Sequence, residues 1–361
     1  MRVAITGGAG FVGSNLAMRI KQDRPESDVL ALDNLYRPGS ELNLPRLRDA
    51  GIIFVQGDVR NAADISELGA VDVLLDCAAE PSILVGQEME NGSDPRYAID
   101  TNLIGTVNCL EHLRANGGRL IYLSSSRVYA MAGLRNIPLE ETATRFTPDD
   151  KTTGPGWSMT GISEEFSVTG PRSLYGASKL ASEMMIEEYA DMYDIKATIY
   201  RCGVLAGPWQ MGKVEQGVFT FWMARHVFGG TLNYIGYGGT GSQVRDVLHI
   251  DDLADLMIAR LDNLGDHSGQ VFNVGGGLDN SVSLEELTQL CADISGQKLT
   301  IGRIPDNRRN DIPWYVTDNS KIEALGSWSP KRSATVILSD IYRWIIDHKA
   351  RLKPIIGEEN R

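Results

Sequence analysis

The chain has 361 residues, enough for one large or two smaller domains, and a formal net charge of −12. That excess of acid argues against general affinity for nucleic acid or an anionic membrane, so an anionic small substrate would need its own local arginines. With 42% hydrophobic and 23% charged residues, and no apolar run near the roughly 18 residues of a membrane span, a folded globular protein is expected. Residues 1 to 6 enter a strand pattern directly, leaving no room for a signal peptide, and the expected location is the cytoplasm. Cys77, Cys109, Cys202 and Cys291 lie far apart in apolar surroundings without a CxxC pair. They read as reduced core residues, and no metal site is expected.

Arg2 to Thr6 form an apolar strand that runs into a glycine cluster and then into the helical pattern of Ser14 to Ile20. Gly8, Gly10 and Gly13 satisfy GxGxxG, while Gly7, Gly10 and Gly13 give an even three-residue spacing. Both readings demand a turn too tight for Cβ, a backbone that can touch a pyrophosphate, and a helix N-terminus whose free N–H groups meet that anion. Twenty residues beyond Gly13, the run Val29 to Leu32 ends in Asp33, placed to meet the adenosine ribose hydroxyls. This favours NAD over NADP; Arg37 could receive a 2′-phosphate, but Asp33 would repel it.

Further strand candidates follow at Ile52 to Gln56, Val71 to Cys77 and Leu120 to Ser124, with helical patterns between most of them. This βαβ rhythm predicts an α/β fold, a Rossmann-like doubly wound parallel sheet. Residues 130 to 172 break the rhythm with a stretch rich in Thr, Pro, Gly and Glu, too long for a routine connection, and read as an insertion over the active site. A strong helix from Leu174 to Tyr193 and a strand at Lys196 to Tyr200 continue the sheet, and Val271 to Asn273 can add an edge. Helical patterns at Gln216 to Phe228, Ser283 to Ile294 and Ala334 to Lys349 belong to a smaller mixed region, with no clean linker before it. The expected division is an NAD-binding domain over 1–202, carrying the insertion, and a smaller interleaved substrate-binding region over 203–361, parts of which return to the sheet.

Two constellations carry chemistry. Tyr175 and Lys179, four residues apart, share one helix face. Bringing a tyrosine from a pKa of about 10 to near 7 takes about 4 kcal/mol of preferential phenolate stabilisation. A fixed ammonium and the positive nicotinamide of NAD⁺ can supply it. Ser124, Ser125 and Ser126 close the fifth strand at the carboxyl edge of the sheet, where ligands of open α/β sheets bind. A serine hydroxyl there can bond the substrate hydroxyl and help pass its proton to Tyr175.

These residues resemble the extended short-chain dehydrogenase/reductase group of NAD-dependent sugar-nucleotide epimerases and dehydratases, over nearly the whole chain. The motifs are TGGAGFVG at 6–13, Asp33-Asn34-Leu35, Gly57-Asp58-Val59, Ala78-Ala79, Asn102 to Thr106, SSSRVY at 124–129 and YGASK at 175–179. Later come Gly207 to Gln210, Val244 to His249 and Arg308 to Asp311. The resemblance implies Ser125, Tyr175 and Lys179 as catalytic residues, Ser125 being found by counting back three from Val128. It also implies NAD contacts from Gly7, Gly10, Phe11, Val12, Gly13, Asp33, Asn34, Asp58, Val59, Ala78, Ala79 and Asn102, besides Tyr175 and Lys179. For the nucleoside-diphosphate sugar it implies Glu80, Ser126, Gln210, Gln216, Arg245, Arg308 and Asp311, the arginines serving the diphosphate. The helices around Tyr97 to Ala115 and Leu174 to Tyr193 match the pair that forms a four-helix homodimer contact in relatives.

Departures from the family pattern narrow the reaction. In the 4,6-dehydratase branch an Asp-Glu pair follows the hydroxyl residue and eliminates water, whereas this chain has Ser126-Arg127. Without those proton carriers, oxidation followed by re-reduction is expected. The segment from Gly207 to Gly217, with Gly241-Ser-Gln243-Val-Arg-Asp, is most similar to the CDP-sugar 2-epimerase branch, so inversion at C2 is expected. The alternatives are a 4-epimerase, dehydratase or decarboxylase of the same family, and then a non-catalytic NAD-binding protein on the same fold.

Overall fold

The computed structural model describes residues 1–86, 94–149, 151–212, 217–262, 267–326 and 328–357. The principal strands are β1 (Arg2–Thr6), β2 (Asp28–Asp33), β3 (Ile53–Gln56), β4 (Val73–Asp76), β5 (Arg119–Ser125), β6 (Lys196–Cys202), β7 (Val204–Ala206), β8 (Val244–His249), β9 (Val271–Val274), β10 (Ser281–Ser283) and β11 (Trp314–Tyr315). The longer helices are α1 (Phe11–Asp23), α2 (Gly105–Asn116), α3 (Leu174–Tyr193), α4 (Val218–Phe228), α5 (Ile250–Asp262), α6 (Leu284–Ser295) and α7 (Ala334–Asp347).

A seven-stranded sheet runs in the order β9-β6-β5-β4-β1-β2-β3 with parallel pairing. Parallel strands covered on both faces favour continuous apolar runs, and β4 buries Val73, Leu74 and Leu75 together with Asp76, whose carboxylate accepts from Thr6 and Thr106. On one face Ala4, Leu32, Leu74 and Tyr122 pack with Leu110 of α2 and Ile186 of α3. On the other, Val3, Ile5, Val73 and Ile121 are equally buried, and there α1 is tied to α5 by the 2.7 Å Arg19–Asp255 ion pair. The edge strand expected at Val271 to Asn273 is β9. No helix among the described residues is long and apolar enough to cross a membrane. All four cysteines are free, Cys77 half-buried and the others buried.

The chain divides into two compact units, one of Met1–Val128, Arg172–Cys202 and Leu253–Phe272, the other of Tyr129–Pro171, Gly203–Asp252 and Asn273–Arg361. This corrects the expectation that the insertion at 130–172 goes with the first domain. Its bonds explain why: Phe146 N donates to Ser242 O at 2.8 Å, Ile162 N donates to Val316 O at 2.7 Å, and Arg145 pairs with Glu286. Within the second unit, β7 pairs with β8 in parallel, while β8 also pairs with β10 and β11.

The helix expected over Tyr97 to Ala115 is broken into three pieces. A short helix, Pro95–Ile99, passes through a π-helical turn, Asp100–Ile104, before α2 begins at Gly105. The Asn102 carbonyl accepts hydroxyl bonds from Thr106 at 2.9 Å and Ser182 at 2.8 Å. Hydroxyl bonds of this kind to a helix carbonyl are not visible in hydrophobic spacing.

Candidate active site

In the first unit, β1 leads into Gly7, whose φ of +61° lies in the region that glycine adopts without strain. A Cβ on Gly13 would sit 2.3 Å from the Gly7 carbonyl oxygen, so the start of α1 rests directly on the turn. Gly10 N donates to Gly7 O at 3.0 Å, and the first helical bond runs from Ser14 N to Gly10 O at 3.0 Å. The amides of Phe11, Val12 and Gly13 fall in the first turn, where helix geometry provides no intrahelical acceptor. That cradle fits a diphosphate.

Asp33 closes the end of β2. Its two carboxylate oxygens accept Ala9 N at 3.0 Å and Leu35 N at 2.8 Å, which couples the acid to the glycine turn. Burial raises its pKa, and the backbone N–H groups pull the other way. Asn34 donates to Asp58 at 2.9 Å, while Arg60 reaches both oxygens of Asp58 at 2.9 and 2.7 Å. Hydrogen bonding from Arg60 holds the Asp58 carboxyl down at about 2. Arg60 also lies 4.5 Å over the Tyr97 ring, which packs at a 32° tilt against Tyr36 with ring centroids 4.4 Å apart. Ala78 and Ala79 follow β4, and Val59 is a buried wall residue beneath Gly105. Beneath this loop, Thr6 donates to Asp76 at 2.7 Å and receives the N–H groups of Cys77 and Ala78, both at 3.1 Å.

Asn102, expected near the cofactor, is 1% exposed, and its amide is spent inside the protein. It accepts Glu80 N at 2.8 Å and donates to Glu80 O at 3.1 Å and Ser178 Oγ at 3.0 Å. It therefore braces the β4 loop, including Glu80, against α3.

Ser125 ends β5, and its Oγ accepts Arg127 N at 3.2 Å; Ser126 follows, half-buried. Ser173 caps α3 by accepting Gly176 N at 3.1 Å. Gly176 lets α3 approach the strand exit: a Cβ there would lie 2.1 Å from the Arg127 carbonyl oxygen. This close approach brings Tyr175 to Ser125. Lys179 is 2% exposed, with its ammonium 4.2 Å above the Tyr122 ring. Burial raises the Tyr175 phenol above its ordinary value, while the Lys179 charge and hydrogen bonding with Ser125 pull it down. The expectation that Lys179 lowers the phenol holds for its direction, but burial outweighs it.

In the second unit, the expected substrate residues divide. Arg245 donates to Asp311 at 3.0 Å, to Ile312 O at 2.7 Å and to Val244 O at 2.7 Å, so two expected ligands are paired with each other. Arg308 is half-buried, and among the described residues its guanidinium has no hydrogen bond or ion pair. Arg135 holds this loop through the carbonyls of Asp311, at 2.9 Å, and Arg309. Tyr237 stands beside it, at a φ of +50°, its phenol raised by burial and by Asp311 against the pull of Arg245 and Arg135. Gln210 donates to Leu205 O and accepts from Thr220 Oγ1, both at 2.9 Å, which braces the loop after β7. Gln216 lies outside the described residues.

Sequence reasoning did not single out Arg135, Tyr237, Asp76 or the buried pair Glu183–Arg201. The pair alone leaves a local trace, an arginine in the apolar strand KATIYRC and an acid one turn after Lys179; the others are visible only once the chain is folded.

Residues 3–275 match the model of the NAD dependent epimerase/dehydratase family. CDP-paratose 2-epimerase of Salmonella typhi is 33% identical over 353 residues, covering 95% of this chain and 99% of that protein. Among solved structures, a dTDP-glucose 4,6-dehydratase from Streptomyces venezuelae with NAD bound is similar at a TM-score of 0.77 and 26% identity, covering 98% and 100% of the two chains. The UDP-glucose 4-epimerase of Thermus thermophilus in complex with NAD is similar at 0.75 and 25%, covering 96% and 99%.

Proposed function

The chain belongs to the NAD-dependent epimerase/dehydratase family, and from that premise we propose that it inverts C2 of a nucleoside-diphosphate sugar, with a CDP-sugar of the paratose type as the first candidate. The observation that carries the reading is the convergence of Ser125, Tyr175 and Lys179 at the end of β5 in the unit that holds the glycine cradle. Bound NAD would supply the hydride acceptor and donor that oxidation and re-reduction of one sugar carbon need, with no net redox change. Ser125 hydrogen-bonds the reacting hydroxyl, Tyr175 takes its proton, and on re-reduction the same phenol gives the proton back. Lys179 favours the phenolate and fixes the ribose of the nicotinamide. Gly7, Gly10 and the first turn of α1 hold the diphosphate, and Asp33 the adenosine ribose. In the second unit, Arg308 is assigned to the substrate diphosphate, with Arg245 and Asp311 ordering its loop.

Ser126 and Arg127 occupy the two positions after Ser125, which favours inversion over elimination of water. A 4-epimerase would use the same groups, and isotopic labelling separates the two. Deuterium at C2 of the accepted sugar nucleotide is expected to give a primary isotope effect on turnover, and deuterium at C4 none. The reverse pattern moves the chemistry to C4.

We also assign a homodimer. Ile104, at the end of the π turn, is 40% exposed and Met184 of α3 is 60% exposed, apolar surface on the helices that pair between subunits in relatives. Met184→Glu is expected to lower the mass measured by light scattering from dimer to monomer. An unchanged dimer would place the interface elsewhere. The four free thiols suit a reducing compartment, and we place the reaction in the cytoplasm.

A further inference from the structure

The stripe of α3 that presents Tyr175 and Lys179 continues one turn further to Glu183, which is 1% exposed. Ser124 Oγ donates to Glu183 Oε1. Arg201 Nε lies 3.1 and 3.2 Å from the two carboxylate oxygens, and its terminal nitrogen reaches Oε2 at 2.7 Å. Ser124 and Arg201 are register partners across β5 and β6, and the next pair in that register is Ser125 and Cys202. One carboxylate therefore ties the helix that carries the phenol to two adjacent strands, one residue before the hydroxyl the phenol must meet. On the same helix, neutral hydrogen bonds tie Ser178 and Ser182 to Asn102.

Burying an ion pair costs several kcal/mol per ion in desolvation, and an apolar pair of similar volume often stabilises a fold equally well. A charged pair at this place adds direction: bidentate contacts fix both rotation and height along the helix, which apolar packing leaves softer. We propose that Glu183 is a positioning residue, whose bonds to Arg201 and Ser124 set the register of α3 over β5 and thereby the separation of Tyr175 and Lys179 from Ser125. The inference rests on the reading of Tyr175 as the proton-transferring group.

The test uses the NAD-loaded protein and two variants. The double variant Glu183→Leu, Arg201→Met replaces the pair by apolar volume and leaves no orphaned charge. Ser124→Ala removes one hydrogen bond and leaves the ion pair intact. In each, the Tyr175 phenol is titrated by ultraviolet difference against the same background carrying Tyr175→Phe, beside bound NAD and the kcat and KM of epimerisation. The double variant is expected to keep its NAD, to titrate the phenol at higher pH, and to lose kcat by about 10- to 100-fold with little change in KM, the effect of a misplacement of about 1 Å. Ser124→Ala is expected to shift the titration in the same direction by less. Wild-type titration and kcat in a folded double variant overturn the proposal. Should that variant not fold, an unshifted titration in Ser124→Ala overturns it. Phenol titrations that move while the wild-type protein turns over no sugar nucleotide would instead sink the proposed reaction and leave the positioning role standing.

Discussion

Tyr175→Phe is expected to yield a folded, NAD-loaded protein whose epimerisation has fallen by about 10²- to 10⁴-fold, the range spanned by loss of a positioned acid or base. The substitution removes one oxygen from a half-buried ring. It leaves untouched the Ser173 cap and the approach of Gly176 to Arg127, so the helix keeps its seat. The loss follows from the electrostatics of the phenol. Burial favours its neutral form, and the Lys179 charge and Ser125 offset this only in part. In the proposed reaction Tyr175 must lose its proton, and the positive charge of bound NAD⁺ would supply the remainder. The sign is testable within the same experiment. The acid limb of the pH–rate profile, in which activity climbs as the phenol deprotonates, should lie below pH 10 in the NAD-loaded enzyme and vanish with Tyr175→Phe. Cofactor content is read from the absorbance of nucleotide released on denaturation, and turnover from product analysis. A variant with wild-type turnover would remove Tyr175 from the mechanism.

What the chain discloses before folding is what its local pattern encodes. The apolar run Arg2 to Thr6, the glycines that follow and the acid at Asp33 sit at fixed offsets, because strand, turn and helix are contiguous there. Tyr175 and Lys179 are legible for the same reason, being neighbours on one helix face. Relations between distant segments are not legible. Glu183 and Arg201 are separated by a helix end and a turn, and only the register of β5 with β6 brings Ser124 to the same carboxylate. Arg245 and Asp311 both read as substrate ligands, yet the fold pairs them, which leaves Arg308 as the guanidinium without a described partner. The segment 130–172 lacks the periodicity that would reveal its allegiance, which is set by long-range bonds such as Arg145 to Glu286 and Phe146 to Ser242. The π turn at Asn102 escapes because no breaker residue marks it, and one of the two hydroxyls that bond its carbonyl, that of Ser182, comes from a distant helix.

Gly13→Ala is expected to purify without NAD and without activity, whereas Gly10→Ala should retain a measurable part of both. The added methyl at position 13 would meet the Gly7 oxygen at 2.3 Å, the Gly7 carbonyl carbon at 2.8 Å and Gly8 Cα at 2.9 Å. All three are backbone atoms of the turn, so no side chain can swing aside. Relief comes only by lifting α1 off β1, which carries the Phe11 and Val12 amides away from the diphosphate. At position 10 the same methyl meets only the Gly7 oxygen, at 3.1 Å, and a shift of a few tenths of an ångström suffices. The loss should also appear as stability, because a ligand that binds only the native state contributes about 2.7 kcal/mol at a hundred times its Kd. Added NAD should therefore raise the Tm of Gly10→Ala and leave that of Gly13→Ala where it stands. Stoichiometric NAD in purified Gly13→Ala would separate the cofactor from the glycine cradle, and with it the assignment of Phe11, Val12 and Gly13 to the diphosphate.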